Sequence, residues 1–140
     1  MKKVIIIFII ITSIFVFIGC KNPYIGRKLY DHPDIIHPIT LGEKCYFSDD
    51  NFSFNICISH VDGNEYRMVG EASLIDKMTF QSIKTQNFRL FLVDGFEIVD
   101  AVTLFTAVTD LSKPLTFKRT FKTEELFNAI VFDYYIQVIG

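Results

Sequence analysis

From Cys45 onward, apolar and polar residues alternate with a period of two. Phe52, Phe54, Ile56 and Ile58 are interleaved with Ser53, Asn55, Cys57 and Ser59, the mark of a half-buried strand. Ser48-Asp49-Asp50-Asn51 reads as the tight turn leading into it. Asp62-Gly63-Asn64 is turn chemistry, because Gly and Asn tolerate positive φ. Glu65 to Ile75 is the return strand, with Gly70 as a bulge position. Thr79 to Ile83 is a weaker strand. Asn87 to Val93 is strong, with Phe88, Leu90 and Leu92 on one face and Phe91 and Val93 on the other. Asp94-Gly95 is another hairpin signal. Phe96 to Thr109 is long enough to bend or split. Pro114 opens an edge segment, Leu115 to Phe121. Thr123 is placed to cap one helical turn at Glu124-Glu125-Leu126, whose acids suit a first turn. Ala129 to Ile139 closes the chain with a last alternating strand.

About seven short strands separated by turns, with no amphipathic helix of useful length, predict an all-β sandwich or barrel. Seven strands in roughly 100 residues favour a single immunoglobulin-like antiparallel β-sandwich over residues 44–140, with a small β-barrel as the alternative. The stretch Leu90 to Val99 resembles the paired strands of immunoglobulin-like domains in secreted bacterial proteins. That resemblance implies an architecture and no activity.

The pattern differs before the strands begin. Lys21 to Gly42 contains Pro23, Pro33 and Pro38, which break helix and central strand alike. Residues 20–43 therefore read as a tether. The roughly 22 residues from Lys21 to Gly42 reach at most about 75 Å extended, or nearer 25 Å as a flexible coil. Tyr24-Ile25 and Ile35-Ile36 are apolar enough to dock on the domain, so the half further from the anchor is expected to be an ordered arm.

Before the tether, Lys2 and Lys3 precede an apolar run from Val4 to Ile18 broken only by Thr12 and Ser13. A spanning helix needs roughly 20 residues, so this shorter run reads as the core of a secretory signal peptide over residues 1–19. Phe17-Ile18-Gly19-Cys20 resembles a bacterial lipobox. The resemblance implies cleavage by signal peptidase II between Gly19 and Cys20, with Cys20 as the lipid-bearing first residue. Phe17 departs from the aliphatic residue usual at its place. Lys21 stands where an Asp tends to retain lipoproteins in the inner membrane of Gram-negative bacteria, so the outer membrane is implied if the organism has one.

Cleavage there removes Lys2 and Lys3 and no acid, taking the formal charge from −2 to −4 over the remaining 121 residues. One mildly acidic domain without a basic stripe argues against a nucleic-acid partner. Fifteen Phe and no Trp point to a core of Phe, Ile, Val and Leu rather than to disorder.

Cys45 and Cys57 are the cysteines left besides Cys20. In an oxidising envelope such a pair usually bridges, and a disulfide is expected. A tight Ser48–Asn51 hairpin conflicts with it. That register sets Cys45 opposite Phe54 and leaves Cys57 roughly 10 Å away, beyond the reach of a disulfide.

Candidate chemistry is sparse. Asp31, His32, Asp34 and His37 form the densest cluster, of metal-ligand types but within a Pro-broken tether. His60 sits at a hairpin end, and its spacing from Cys57 puts the two out of register on a strand. Asp49-Asp50-Asn51 resembles a fragment of a calcium loop without the internal Gly or the distal Glu. Glu124 and Glu125 are adjacent and do not face each other. No nucleophile elbow is present. Lys113, Lys118, Arg119 and Lys122, interleaved with Phe117 and Phe121, form a basic run suited to an acidic partner, lipid headgroups or the protection of an edge strand. The expectation is a non-enzymatic, cofactor-free envelope lipoprotein, held in a membrane by its lipid and binding a protein partner. The alternative is a lipid-anchored metal-binding protein or enzyme using the tether histidines.

Overall fold

The alternation of Phe52 to Ile58 is realised in the long strand β3 (Phe52–Asp62): Phe52, Phe54, Ile56 and Ile58 are buried and the polar residues between them face outward, while Val61 near the strand's end is exposed. The structure, a computed structural model, describes residues 22–75, 83–105, 109–110 and 114–138. Besides β3 these form β1 (His37–Pro38), β2 (Lys44–Ser48), β4 (Glu65–Leu74), β5 (Ile83–Asp94), β6 (Glu97–Phe105), β7 (Thr109–Asp110), β8 (Leu115–Lys122) and β9 (Ala129–Val138). One antiparallel sheet runs β2-β3-β4-β8. The other runs β1-β9-β5-β6, with β7 also on β5. The two do not close into a barrel, and the fold is the all-β sandwich that the strand pattern predicts. Residues 1–21, with Gly19 and Cys20, lie outside the described residues. So do Lys113 and nearly all of the predicted strand Thr79 to Ile83.

The core between the sheets is aromatic. Phe52, Phe54, Ile56, Ile58 and Met68 from one sheet meet Phe88, Leu90, Leu92 and Ile130 from the other. Phe54 stacks on Phe132 at 4.3 Å between ring centroids and 4° between planes. Phe88 stacks on Tyr134 at 4.8 Å. Offset ring pairs of this kind add to the burial of apolar area.

β5 carries a second apolar face. Phe91 and Val93 point away from the first core and join Ile98, Ala129, Val131 and Leu29 in a second cluster, covered by Tyr24 and Ile36. A strand buried on both faces loses its alternation, which is why residues 88–93 read as an almost continuous run. The cover is the segment expected to be a tether. Gly26 N donates to Ile98 O (2.7 Å), Ile98 N to Arg27 O (3.0 Å) and Leu29 N to Phe96 O (2.7 Å). Lys28 reaches Glu97 at 2.8 Å. After one 3-10 turn at Pro33–Ile35 the chain pairs β1 with β9. Residues 22–43 are therefore a layer of the domain rather than a spacer. The prolines end local helices and strands without preventing the backbone from bonding to sheet edges.

Four local expectations change. The β2–β3 hairpin pairs Phe47 with Phe54 and Cys45 with Ile56, two residues away from the tight-turn register. A shift of two preserves which face each side chain takes. The predicted disulfide does not form: both cysteines are free thiols. Cys57 pairs across from Lys44, one residue out of step with Cys45, so the two thiols leave opposite faces of the sheet. Cys45 packs on the core, whereas Cys57 Sγ lies 3.6 Å from Ser59 Oγ. Gly70 is no bulge; it pairs regularly between Ile56 and Phe117. A Cβ there would sit 2.8 Å from Ile56 Cα, so close approach of strands explains the glycine. The bulge lies instead between His60 and Asp62. Thr123 does accept a cap-like bond from Glu125 N at 3.1 Å, but no helical turn follows, because Thr123 is itself buried and bonded to Asp100 Oδ2 (2.6 Å).

Candidate functional site

Two places gather the polar chemistry of the domain. The first is a cleft of about 340 Å³ where the N-terminal arm meets the β2–β3 turn, lined by Asp34, His37, Ser48, Asp49, Asp50 and Phe132. β1 brings His37 there by pairing with Ile130 of β9. Its imidazole stacks on Phe47 at 4.0 Å and 15°, and Phe47 stacks in turn on Phe54. Burial holds the His37 pKa below its ordinary value, opposed by the Asp49 carboxylate, so the ring is favoured in its neutral form.

Asp49 organises the turn. Its Oδ1 accepts from the backbone N–H groups of Asn51 (2.8 Å) and Phe52 (2.6 Å), an Asx-type arrangement. Its Oδ2 accepts the Tyr134 hydroxyl, to which Asn51 Nδ2 also donates at 3.2 Å. Burial, then the bond to Asp49, pushes the Tyr134 pKa well above the usual tyrosine range. A phenol that keeps its proton this firmly is a hydrogen-bond donor and not a base at neutral pH. Asp34 and Asp50 leave the cleft acidic. Among the described residues, no three His, Cys, Asp or Glu side chains are placed to share a metal ion.

Two clusters that looked separate in the sequence, Asp34 with His37 and Asp49 with Asp50, thus line one cleft. The other members of the predicted histidine group do not converge on it. His32 is exposed at the start of the 3-10 turn and makes no side-chain cap there. His60 Nε2 lies 2.8 Å from Gly63 O, and its ring sits edge-on to Tyr66. Tyr134 escaped the sequence reading. Its signal is an inward position on β9, where a buried phenol needs a partner for its hydroxyl.

The second place is β8. Among the described residues it pairs within the sheet with β4 alone, so its outer side is an edge there, as the segment after Pro114 predicted. Leu115, Phe117 and Phe121 are buried, while Lys118, Arg119 and Lys122 are exposed. Lys118 pairs across from Val69 and Lys122 from Glu65, on the outer face. Arg119 pairs across from the buried Met68 and so carries charge at an inward position of an edge strand, a device that discourages unspecific strand pairing. Beyond β8, Asn64 Nδ2 donates to Glu124 Oε1 at 2.6 Å, tying the β3–β4 turn to the corner at Thr123.

No helix among the described residues is long and apolar enough to cross a membrane. Comparison with protein-family models, curated proteins and solved structures finds no match for this chain.

Proposed function

We propose that this protein is a lipid-anchored envelope protein whose sandwich binds a protein partner and carries no chemistry of its own. The address rests on the resemblance of Phe17-Ile18-Gly19-Cys20 to a lipobox, with Cys20 as the lipidated residue and the outer membrane as its destination in a Gram-negative host. The observation that carries the binding role is the asymmetry of the sandwich. Sheet β1-β9-β5-β6 has its outer face roofed by the chain's own arm. Sheet β2-β3-β4-β8 keeps an outer face bearing Tyr46, Val69 and Lys118, and an edge at β8. Edge strands offer backbone hydrogen bonds to an incoming strand. The cations Lys118, Arg119 and Lys122 select an acidic one.

The test is made in the native host. Lys118→Glu with Arg119→Glu, folded and correctly localised, is expected to lose function and to lose a crosslink formed from a photoreactive residue at Thr120. Replacement of His32, His37 and His60 by Ala is expected to leave function intact. Loss of function in the histidine variant, with folding and localisation preserved, would favour the metal-binding or enzymatic alternative.

A further inference from the structure

The arm fixes where the anchor leaves the domain. Asn22 is already held: its Oδ1 accepts from Tyr24 N (2.9 Å) and its carbonyl from Ile25 N (3.2 Å). Tyr24 lies against Phe91, 5.2 Å between centroids, on the outer face of sheet β1-β9-β5-β6. The guanidinium groups of Arg27 and Arg89 stand 4.9 and 5.2 Å from the Tyr24 ring. The docked chain therefore begins two residues after Cys20 in the sequence, and two residues span at most about 7 Å. A leash that short does not let the domain tumble at a distance from its anchor.

We propose that the outer side of sheet β1-β9-β5-β6, together with the arm docked on it, is the membrane-facing side of this protein, seated on lipid headgroups. The inference rests on lipidation at Cys20. The surface around the anchor point suits a headgroup layer. Tyr24 and Tyr135 are side chains of the kind enriched at membrane interfaces, and Tyr135 is 58% exposed there. Arg27 is exposed beside Tyr24, so basic charge sits where anionic headgroups begin. Asp133, the acid among these positions on β9, is neutralised by Arg89, whose Nε and Nη2 both donate to its Oδ2 at 3.0 and 2.5 Å. Across the sandwich, sheet β2-β3-β4-β8 turns Tyr46, Asn55 and Val69 the opposite way. Sheets pack about 10 Å apart, and with side chains on both outer faces that exposed surface stands about 20 Å above the lipid. The β8 edge then opens sideways and outward, toward a partner in the envelope space rather than into the bilayer.

The absence of tryptophan makes the orientation measurable with single probes. The mature lipidated protein, carrying Tyr135→Trp or Tyr46→Trp, is reconstituted in phosphatidylcholine–phosphatidylglycerol vesicles containing a headgroup-nitroxide lipid. Both positions are exposed, Tyr46 at 70%. Thr103→Trp and Ser53→Trp repeat the comparison on other strands, in case a first pair disturbs folding. The expected result is severalfold stronger quenching at 135 and 103 than at 46 and 53. Protein that floats with the vesicles but shows equal or reversed quenching overturns the orientation and leaves lipidation standing. Protein that lacks the lipid by mass and fails to float overturns lipidation, and the orientation with it.

Discussion

The Tyr134 hydroxyl of one sheet donates to the Asp49 carboxylate in a turn of the other, and the same carboxylate holds the turn through the amides of Asn51 and Phe52. One residue therefore closes the β2–β3 hairpin and latches it to β9. Tyr134→Phe removes the latch and leaves the turn. It is expected to cost about 1–3 kcal/mol, the usual penalty for a lost bond to a charged group. Asp49→Ala removes both functions and should cost more. Chemical denaturation of the two variants checks the order; equal losses would mean that the turn bonds contribute nothing.

His37 links stability to acid. Its folded pKa is lowered by burial, so the unfolded chain takes up the proton first as pH falls. Stability contributed by the neutral ring is fully present above the unfolded value of about 6.5 and is lost progressively below it, down through the lowered folded pKa. His37→Phe keeps an aromatic ring on Phe47 and should flatten the melting temperature between neutral and mildly acidic pH. A slope as steep as that of the wild type would show that other groups carry it.

Gly70→Ala should destabilise although alanine is the smallest possible addition. The new Cβ would meet the backbone of β3 at Ile56, which cannot rotate away as a side-chain tip would. Forced overpacking of this sort costs about 1–3 kcal/mol. The measurement is the shift of a denaturant midpoint, and an unchanged midpoint would argue against so close a strand approach.

The arm is expected to be a stabilising layer. Leu29→Ala opens the cluster over Phe91 and Val93 and should cost about 2–5 kcal/mol. Deleting residues 22–36 should expose that apolar face, read as new binding of a hydrophobic dye. A deletion variant as stable and as dye-silent as the parent would mean that the arm is dispensable.

The thiols are expected to be independent. In a Cys20→Ser protein purified without reductant, thiol titration in denaturant should find both Cys45 and Cys57 free. Reductant should leave the melting temperature unchanged, since no loop closure is lost. Cys57→Ser, on the outward face, should be nearly neutral.

The strand pattern by itself determined the class of fold. Period-two alternation fixes which residues of β3 and β9 share a face, whatever the partner strand, and the Asp-Gly turns at Gly63 and Gly95, both at positive φ, bound their hairpins. Alternation is blind to three things that tertiary structure decided. Hairpin register stayed open, because a shift of two residues changes partners without changing faces. Cys45 and Cys57 looked like a bridge on number and compartment alone, against the expected hairpin geometry, and are not one. The arm was legible in part: Tyr24-Ile25 and Ile35-Ile36 marked it as apolar enough to dock, and Tyr24 and Ile36 do pack on the sheet, but the backbone bonds to Phe96 and Ile98 that seat it as a layer leave no periodic trace among the prolines. The cleft stayed hidden because His37, Asp49 and Tyr134 are far apart in sequence and meet only where two sheets and the arm pack together. The proposed targeting segment is the converse case. The resemblance behind it lies in charge, hydrophobic length and a small-residue–cysteine ending, and these are read from the chain without any fold at all.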